Sequence, residues 1–344
     1  MNVFIDYCGH SDFYYSFHLL FEKRLGGQLF CPEGSEWHEK GFVKLRPPIP
    51  IAKIETVDDA LKNPYVECEK VELIDGVYHY YRKMELDRGY YVQKAITFNE
   101  FLKMDFDVVV ATHYEHEKTF YDLLSQYKPK AGFIRVINNI HEKPLGFCKN
   151  ILLATLEPMP PDINCMRYHP ENYEGYCYTP PTNHKTIKSF VGDLPYYPYD
   201  MDTWRKLESS LNDFTCTMYT RDNFVPHLLM PRAMKDSAFI CHIKAHGGGG
   251  FTAYQALASG RPCIVKRQYA VLHGAPHQFL FVDSVNCVDL DLGVERGIEI
   301  LKGWSQPDRH VEVCRATAEK FARDVNFAAE AEGIRAWLGS LKPL

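Results

Sequence analysis

Four consecutive glycines, Gly247 to Gly250, follow Lys244 and His246 and precede a helix-forming run, Phe251, Thr252, Ala253, Tyr254, Gln255, Ala256, Leu257 and Ala258. A run of glycines carries no packed core, and its backbone suits the close approach of a ligand. A helix N-terminus adds unpaired N–H groups and a partial positive charge, so a glycine loop that opens a helix is built to hold an anion. The expected ligand is a phosphate or diphosphate. Lys244 and His246 flank the loop and would offset the charge of such a ligand. The glycine spacing is not that of the dinucleotide fingerprint, and no Gly-Lys-Ser/Thr follows as in a P-loop.

A second group of residues suits proton transfer. His10 lies in the loop Tyr7, Cys8, Gly9, His10, Ser11, Asp12 that follows the apolar run Val3, Phe4 and Ile5. An imidazole titrates near neutral pH and can take a proton from a hydroxyl, whereas the plainer reading ties His10 to Asp12 or to a carbonyl. His113 opens Tyr114, Glu115, His116 and Glu117 after the buried-strand run Asp107, Val108, Val109, Val110 and Ala111. Two histidines and two glutamates suggest a metal by composition alone. Consecutive residues at a strand-to-helix junction diverge, however, and acids in a first helical turn complement the dipole. His113, at the carboxyl end of the strand, is thus expected to be a cleft residue, without a metal. Asp289 and Asp291 have the spacing of a metal-binding acid pair, yet Val288, Leu290 and Leu292 alternate with them as in a half-exposed strand.

These residues need elements to position them. Ala238, Phe239, Ile240, Cys241 and Ile243 predict a strand before the glycine loop, and Cys263, Ile264 and Val265 one after it. Ser259 and Gly260, with Pro262 beyond, stop the helix between them. Ser189, Phe190, Val191, Gly192 and Asp193 predict an earlier strand and turn, with a helix over 204–211 and a strand from Phe214 to Met218. In the first half, a helix carrying Phe13, Phe17, Leu20 and Phe21 runs to Gly26-Gly27, and strands follow at 28–30, 107–111 and 132–137. Such alternation predicts parallel sheets covered on both faces, with ligands outside the carboxyl ends of the strands. Residues 45–50 are too proline-rich for regular structure, and 65–96 alternate as an exposed hairpin would, either shaping one side of a cleft or decorating the surface. A proline- and tyrosine-rich bridge over 157–181 marks a domain boundary. Its Tyr168, Tyr173, Tyr176 and Tyr178 are expected to glue two domains together more than to stack on a sugar or base. Residues 294–304 and 311–341 predict amphipathic helices.

Composition narrows the classes. The 344 residues suffice for two domains. A chain with 46% hydrophobic and 24% charged residues has the composition of a soluble globular protein. A formal charge of -5 supplies no global field for nucleic acid, although a local basic groove stays open. Eleven cysteines without a CxxC pair read as buried reduced thiols, so the expected location is cytoplasmic. No signal series and no apolar run of membrane-spanning length is present.

Residues 244–265 resemble the donor-binding signature of GT-B glycosyltransferases of the group 1 type. Gly248, Gly250, Ala256, Ala258, Ser259, Gly260 and Pro262 match its residue types, while Gly247 and Gln255 stand where a common version has two glutamates. The resemblance implies an α/β, GT-B-like fold, two Rossmann-type parallel-sheet domains facing each other across a cleft. Residues 1–156 would form the acceptor side with an insertion near 45–104, 157–185 the linker, 186–325 the nucleotide-sugar domain, and 326–344 a helix crossing back. It implies transfer of a hexosyl or pentosyl group from a nucleotide-activated donor to an acceptor hydroxyl, with no cofactor and no essential metal. His10, Asp12 and His113 would be catalytic, His10 as the base if the anomeric centre inverts. Gly192, Lys244, His246, Gly247, Gly248, Gly249, Gly250, Phe251, Thr252 and Gln255 would bind the donor, Gln255 giving the ribose one hydrogen bond in place of a charged grip. A small molecule, a glycan, a protein or a hydroxymethylated nucleic-acid base are the open acceptors. A nucleotide-sugar 2-epimerase-like isomerase and a non-catalytic nucleotide-binding module are the alternatives.

Overall fold

Val3, Phe4 and Ile5 point alternately to opposite faces of a strand, and all three are fully buried, so the strand has to lie inside a sheet covered on each side. The computed structural model describes residues 1–6, 11–32, 37, 68–83, 90–112, 117–138, 142–143, 145–154, 159–171, 174–192, 198–226, 229–245, 251–272 and 276–343. It shows this arrangement in each of two units, Met1–Glu171 with Phe327–Leu344, and Asn172–Asn326.

The first unit is built on a nine-stranded sheet. Its strands are β1 (Asn2–Ile5), β2 (Gln28–Pro32), β3 (Cys68–Ile74), β4 (Val77–Lys83), β5 (Tyr90–Ile96), β6 (Val108–Ala111), β7 (Gly132–Ile137), β8 (Asn150–Leu153) and β9 (Asn164–Arg167), in the order β3-β4-β5-β2-β1-β6-β7-β8-β9. From β5 to β9 the pairing is parallel, and β3 and β4 are antiparallel additions. Val3 and Ile5 join one core with α1 (Ser11–Phe17), its π-helical continuation His18–Arg24 and the C-terminal helix Phe327–Leu338. Phe4 joins the other with Trp37, α2 (Phe98–Lys103) and α3 (Glu117–Tyr127), its ring 5.1 Å from Trp37 and 4.8 Å from Phe101. Full burial of one such side chain stabilises by roughly 1.5–3 kcal/mol. The chain leaves β1 for β2 on one side and returns to β6 on the other, so the strand order reverses at β1/β6.

Residues 65–96 depart from the exposed-hairpin expectation. From Cys68 onward they form a three-stranded meander, turned at Asp75 and Gly76 (φ 50° and 81°), and β5 continues the main sheet through the pair Phe30 and Lys94. Tyr80 and Ala95 face the core, which is why the segment docks instead of standing free.

The second unit holds a parallel five-stranded sheet, β10 (Thr186–Gly192), β11 (Thr215–Thr220), β12 (Phe239–His242), β13 (Cys263–Val265) and β14 (Cys287–Asp289), ordered β11-β10-β12-β13-β14. Helices α4 (Met201–Ser210), α5 (Met230–Lys235), α6 (Phe251–Ala258), α7 (Arg267–Leu272), α8 (Val294–Trp304) and α9 (Pro307–Asp324) connect or follow these strands. Ile187, Trp204, Leu207, Phe239, Ile264, Val288 and Leu301 share its core. The turn after α6 needs a glycine. Gly260 has a φ of 70°, and a Cβ there would lie 2.5 Å from Tyr178 and 2.6 Å from the Cys314 carbonyl. Arg261 is fully buried and donates to the carbonyls of Lys235, Thr179 and Ser259, so one guanidinium ties α5, the 174–185 segment and the end of α6 together. The half-exposed strand expected at 288–292 stops at Asp289, and Leu290–Leu292 form a 3₁₀ turn.

Candidate functional site

In the second unit the strand order reverses between β10 and β12, and the carboxyl ends at such a point are where open α/β sheets take ligands. Gly192 is the last residue of β10. Lys244 leaves β12 as an isolated antiparallel bridge with Tyr199, reinforced by Ala245 N donating to the Pro198 carbonyl at 2.8 Å and Asp200 N to the Ile243 carbonyl at 3.2 Å. Two strand exits are thereby sewn to one another ahead of α6. Burial lowers the Lys244 pKa to about 8, which keeps it mostly cationic at neutral pH. The Tyr199 and Ser189 hydroxyls lie 2.6 Å apart and both reach the Cys241 carbonyl, locking the base of this corner.

Asp200 fixes the next strand exit. It caps α4 through Thr203 N at 3.0 Å and accepts from Thr203 Oγ1, from Lys266 Nζ at 2.5 Å and from Tyr269 Oη at 3.0 Å. Burial alone would raise its pKa, but these donors outweigh it and hold the carboxyl at about 2. Lys266 is thus paired with Asp200. Asp289 accepts the amides of Arg267 and Asp291, and Asp291 that of Gln268, so both carboxylates cap α7. Among the described residues, no group of three or more His, Cys, Asp or Glu has the arrangement of a metal site.

In the first unit, the corresponding carboxyl ends are those of β1 and β6. Asp6, fully buried directly after β1, accepts from Thr112 N at 2.7 Å and Thr112 Oγ1 at 2.6 Å, directly after β6. The two connections that carry His10 and His113 therefore start from residues fastened to each other.

His10, His113, His246, Gly247, Gly248, Gly249 and Gly250 lie outside the described residues. Asp12 is in the first turn of α1. Gly192 and Lys244 stand on adjacent strand exits, and Phe251 and Thr252 open α6 half-buried. Gln255 is buried in that helix, 4% exposed. Of the four bridge tyrosines, Tyr168 and Tyr176 are buried. Sequence reading missed Asp6, Tyr199 and Asp200. An acid directly after Val3, Phe4 and Ile5, and an Asp three residues before Thr203 at a helix start, were the available signals.

No protein-family model matches the chain, and no curated protein matches its sequence. Solved structures match it over nearly their whole length. TarM, studied from S. aureus, aligns with a TM-score of 0.60 at 9% identity over 98% of each chain. The pneumococcal O-GlcNAc transferase GtfA in complex with UDP and GlcNAc aligns with a TM-score of 0.56 at 10% identity over 99% of each chain. An alpha-glucosyltransferase in complex with UDP and a 13-mer DNA containing a central A:G mismatch gives 0.60 at 9% identity over 98% of this chain and all of that one, 100%. The chain thus has the α/β fold of GT-B glycosyltransferases, as residues 244–265 led us to expect; at such identities the likeness is one of fold.

Proposed function

We propose that this protein is a glycosyltransferase. It holds a nucleotide-activated sugar at the carboxyl end of the Asn172–Asn326 sheet and moves the sugar to an acceptor hydroxyl held by the first unit. The observation that carries the reading is the corner itself. Four glycines stand in the chain between β12, at the switch point of a parallel sheet, and α6, next to a half-buried lysine. Uridine diphosphate is the favoured donor nucleotide, because GtfA and the alpha-glucosyltransferase that share the fold hold UDP in their solved structures. The GlcNAc held by GtfA favours a hexosyl group. In this reading Gly247 to Gly250 approach the diphosphate, Lys244 and His246 offset its charge as it leaves, and Gln255 gives one hydrogen bond to the ribose. His10 takes the acceptor proton if the anomeric centre inverts; with retention the leaving phosphate takes it and His10 positions the hydroxyl. Asp12 and His113 complete the acceptor side.

The reaction is proposed to need no metal: Asp289 and Asp291 already accept backbone amides, and full activity in excess chelator is the expected result. No described helix is long and apolar enough to cross a membrane. The buried thiols of Cys148, Cys241, Cys263, Cys287 and Cys314, none of them in a disulfide, support a reducing, cytoplasmic setting.

The test is a thermal-shift and product screen of nucleotide sugars, each with and without pooled glycans, peptides, small alcohols and hydroxymethylated DNA. Stabilisation by a UDP-sugar with nucleotide release only when acceptor is present is the expected result. An isomerised sugar from donor alone would reassign the protein as a 2-epimerase-like enzyme. Binding without turnover, which the Gly247 and Gln255 departures make the second reading, would reassign it as a nucleotide-binding module. No stabilisation by any nucleotide overturns the reading.

A further inference from the structure

The carboxyl end of the first sheet contains a buried charged cluster that sugar transfer, as read above, does not use. Arg135, on β7, is fully buried, and Glu117, the first residue of α3, is 1% exposed. Arg135 Nη1 donates to the carbonyl of Ala111, the last residue of β6, at 3.2 Å, and to the Val136 carbonyl. Its Nε lies 3.5 Å from Glu117 Oε2, and its Nη2 3.5 Å from Glu142 Oε2. Glu142 accepts from Asn138 N, directly after β7, at 3.0 Å. Glu117 Oε1 accepts from Leu145 N at 3.2 Å and from the Cys148 thiol, ahead of β8. Burial and the neighbouring carboxylate push that thiol far above its ordinary pKa, so it stays a donor.

One guanidinium is thereby joined to the residue before the 112–116 connection, to the residue after it, and through Glu142 to the start of the connection that leaves β7. Burying Arg135 and Glu117 is costly, and apolar side chains of similar volume often give equal or greater stability. Arg135 Nε and Glu117 Oε2 face each other as an ion pair without a hydrogen bond, and the hydrogen bonds made by the other atoms of the cluster tie the ends of β6 and β7 to the segment before β8. This network sits where the ligand-binding connections of a parallel sheet depart.

We propose that Arg135 is a positioning residue for the acceptor side. It fixes the residues that bound the connections after β6 and β7, Ala111 and Glu117 on one side and Asn138 on the other. The claim rests on the sugar-transfer reading, and the test separates the two. Arg135→Met, Arg135→Lys and Glu142→Gln are made in the full chain. Hydrogen exchange is followed over 112–117 and 138–146, together with UDP affinity, kcat and acceptor KM. In Glu142→Gln, which removes charge without volume and serves even if Arg135→Met fails to fold, exchange in those two segments should rise about tenfold while β10 and β12 keep their protection. UDP affinity should stay within about twofold, and kcat should fall about tenfold or more, since small misplacements of reacting groups are costly. Arg135→Lys should restore less than half of the loss, because an ammonium cannot reach three partners in one plane. Exchange that rises uniformly over the first unit, or unchanged kcat in a folded Arg135→Met protein, overturns the proposal. If wild-type protein shows no transfer at all, the sugar-transfer reading fails, and with it the acceptor-side claim, even where the exchange result shows that Arg135 fixes these segments.

Discussion

Donor affinity should fall as pH rises through the titration of Lys244. The ammonium is the form that attracts a diphosphate, and its pKa in the ligand-free protein is lowered to about 8 by burial. A bound anion raises that pKa again, so the nucleotide and the proton assist each other's binding. Affinity is then reduced by a factor of one plus the ratio of neutral to charged lysine, about 1.1 at pH 7, about 2 at pH 8 and about 11 at pH 9. Between pH 7 and pH 9 the loss is about tenfold, or about 1.4 kcal/mol. Calorimetric titration of UDP at constant ionic strength measures it directly. Lys244→Met serves as the reference, because the nucleotide's own ionisations persist there while the lysine's is gone. The variant should bind weakly at pH 7 and show no added slope between pH 7 and pH 9. A wild-type affinity that is flat over that range, or a slope that the variant keeps, would refute the assignment of Lys244 to the phosphate site.

Acid should destabilise the second unit through His310. It is fully buried, and burial first, then Arg261 and His184, lower its pKa from 6.5 to about 4. The unfolded chain therefore binds the extra proton between those values, stability declines as pH falls through that window, and the loss approaches about 3 kcal/mol. Denaturant titrations of wild type and His310→Leu at pH 7 and pH 4.5 check this, and an identical pH dependence in the two proteins would exclude it. In Gly260→Ala the backbone is left-handed and the new methyl meets a carbonyl that cannot move aside. The substitution should cost on the order of 2 kcal/mol. An unchanged melting temperature counts against the turn. Asp6→Ala should leave Thr112 N without its buried acceptor, with transfer activity lost before UDP binding. The stability cost should be about 1–3 kcal/mol. Equal loss of transfer and binding would place the role of Asp6 elsewhere.

What the sequence made legible follows from the range over which each signal acts. The strands at 107–111 and 132–137 are apolar on both faces, so local pattern sufficed, and the two-sheet α/β architecture followed from their alternation with helices. β9 escaped notice because it is an edge strand with half-exposed side chains and little periodicity. The docking of the meander depends on β5 pairing with β2, a strand far earlier in the chain, which alternation within 65–96 cannot express. The candidate site divides in the same way. Glycine and proline punctuation locates the 244–265 loop and turn, whereas Asp6 and Thr112 are partners 106 residues apart. Asp289 and Asp291 share the spacing of a metal-binding pair, and their alternation with Val288, Leu290 and Leu292 read instead as a half-exposed strand; their role as caps emerges only with the adjoining α7 amides.

The C-terminal helix Phe327–Leu338 has a consequence for biosynthesis. Ala331, Ile334 and Trp337 fill the same core as Phe17, Phe21 and Tyr168, Trp337 Nε1 donates to Asn164 Oδ1 at 2.9 Å, and Lys342 N donates to Asn150 Oδ1 at 2.7 Å. On the ribosome these residues emerge after all of 172–326, a continuous segment that can complete its own core first. The unit that begins the chain is thus the last to close. Until then its strands β8 and β9 and the inner side of α1 wait, wet and adhesive, for a helix translated only after the whole second unit. That interval is the stage at which aggregation competes with folding.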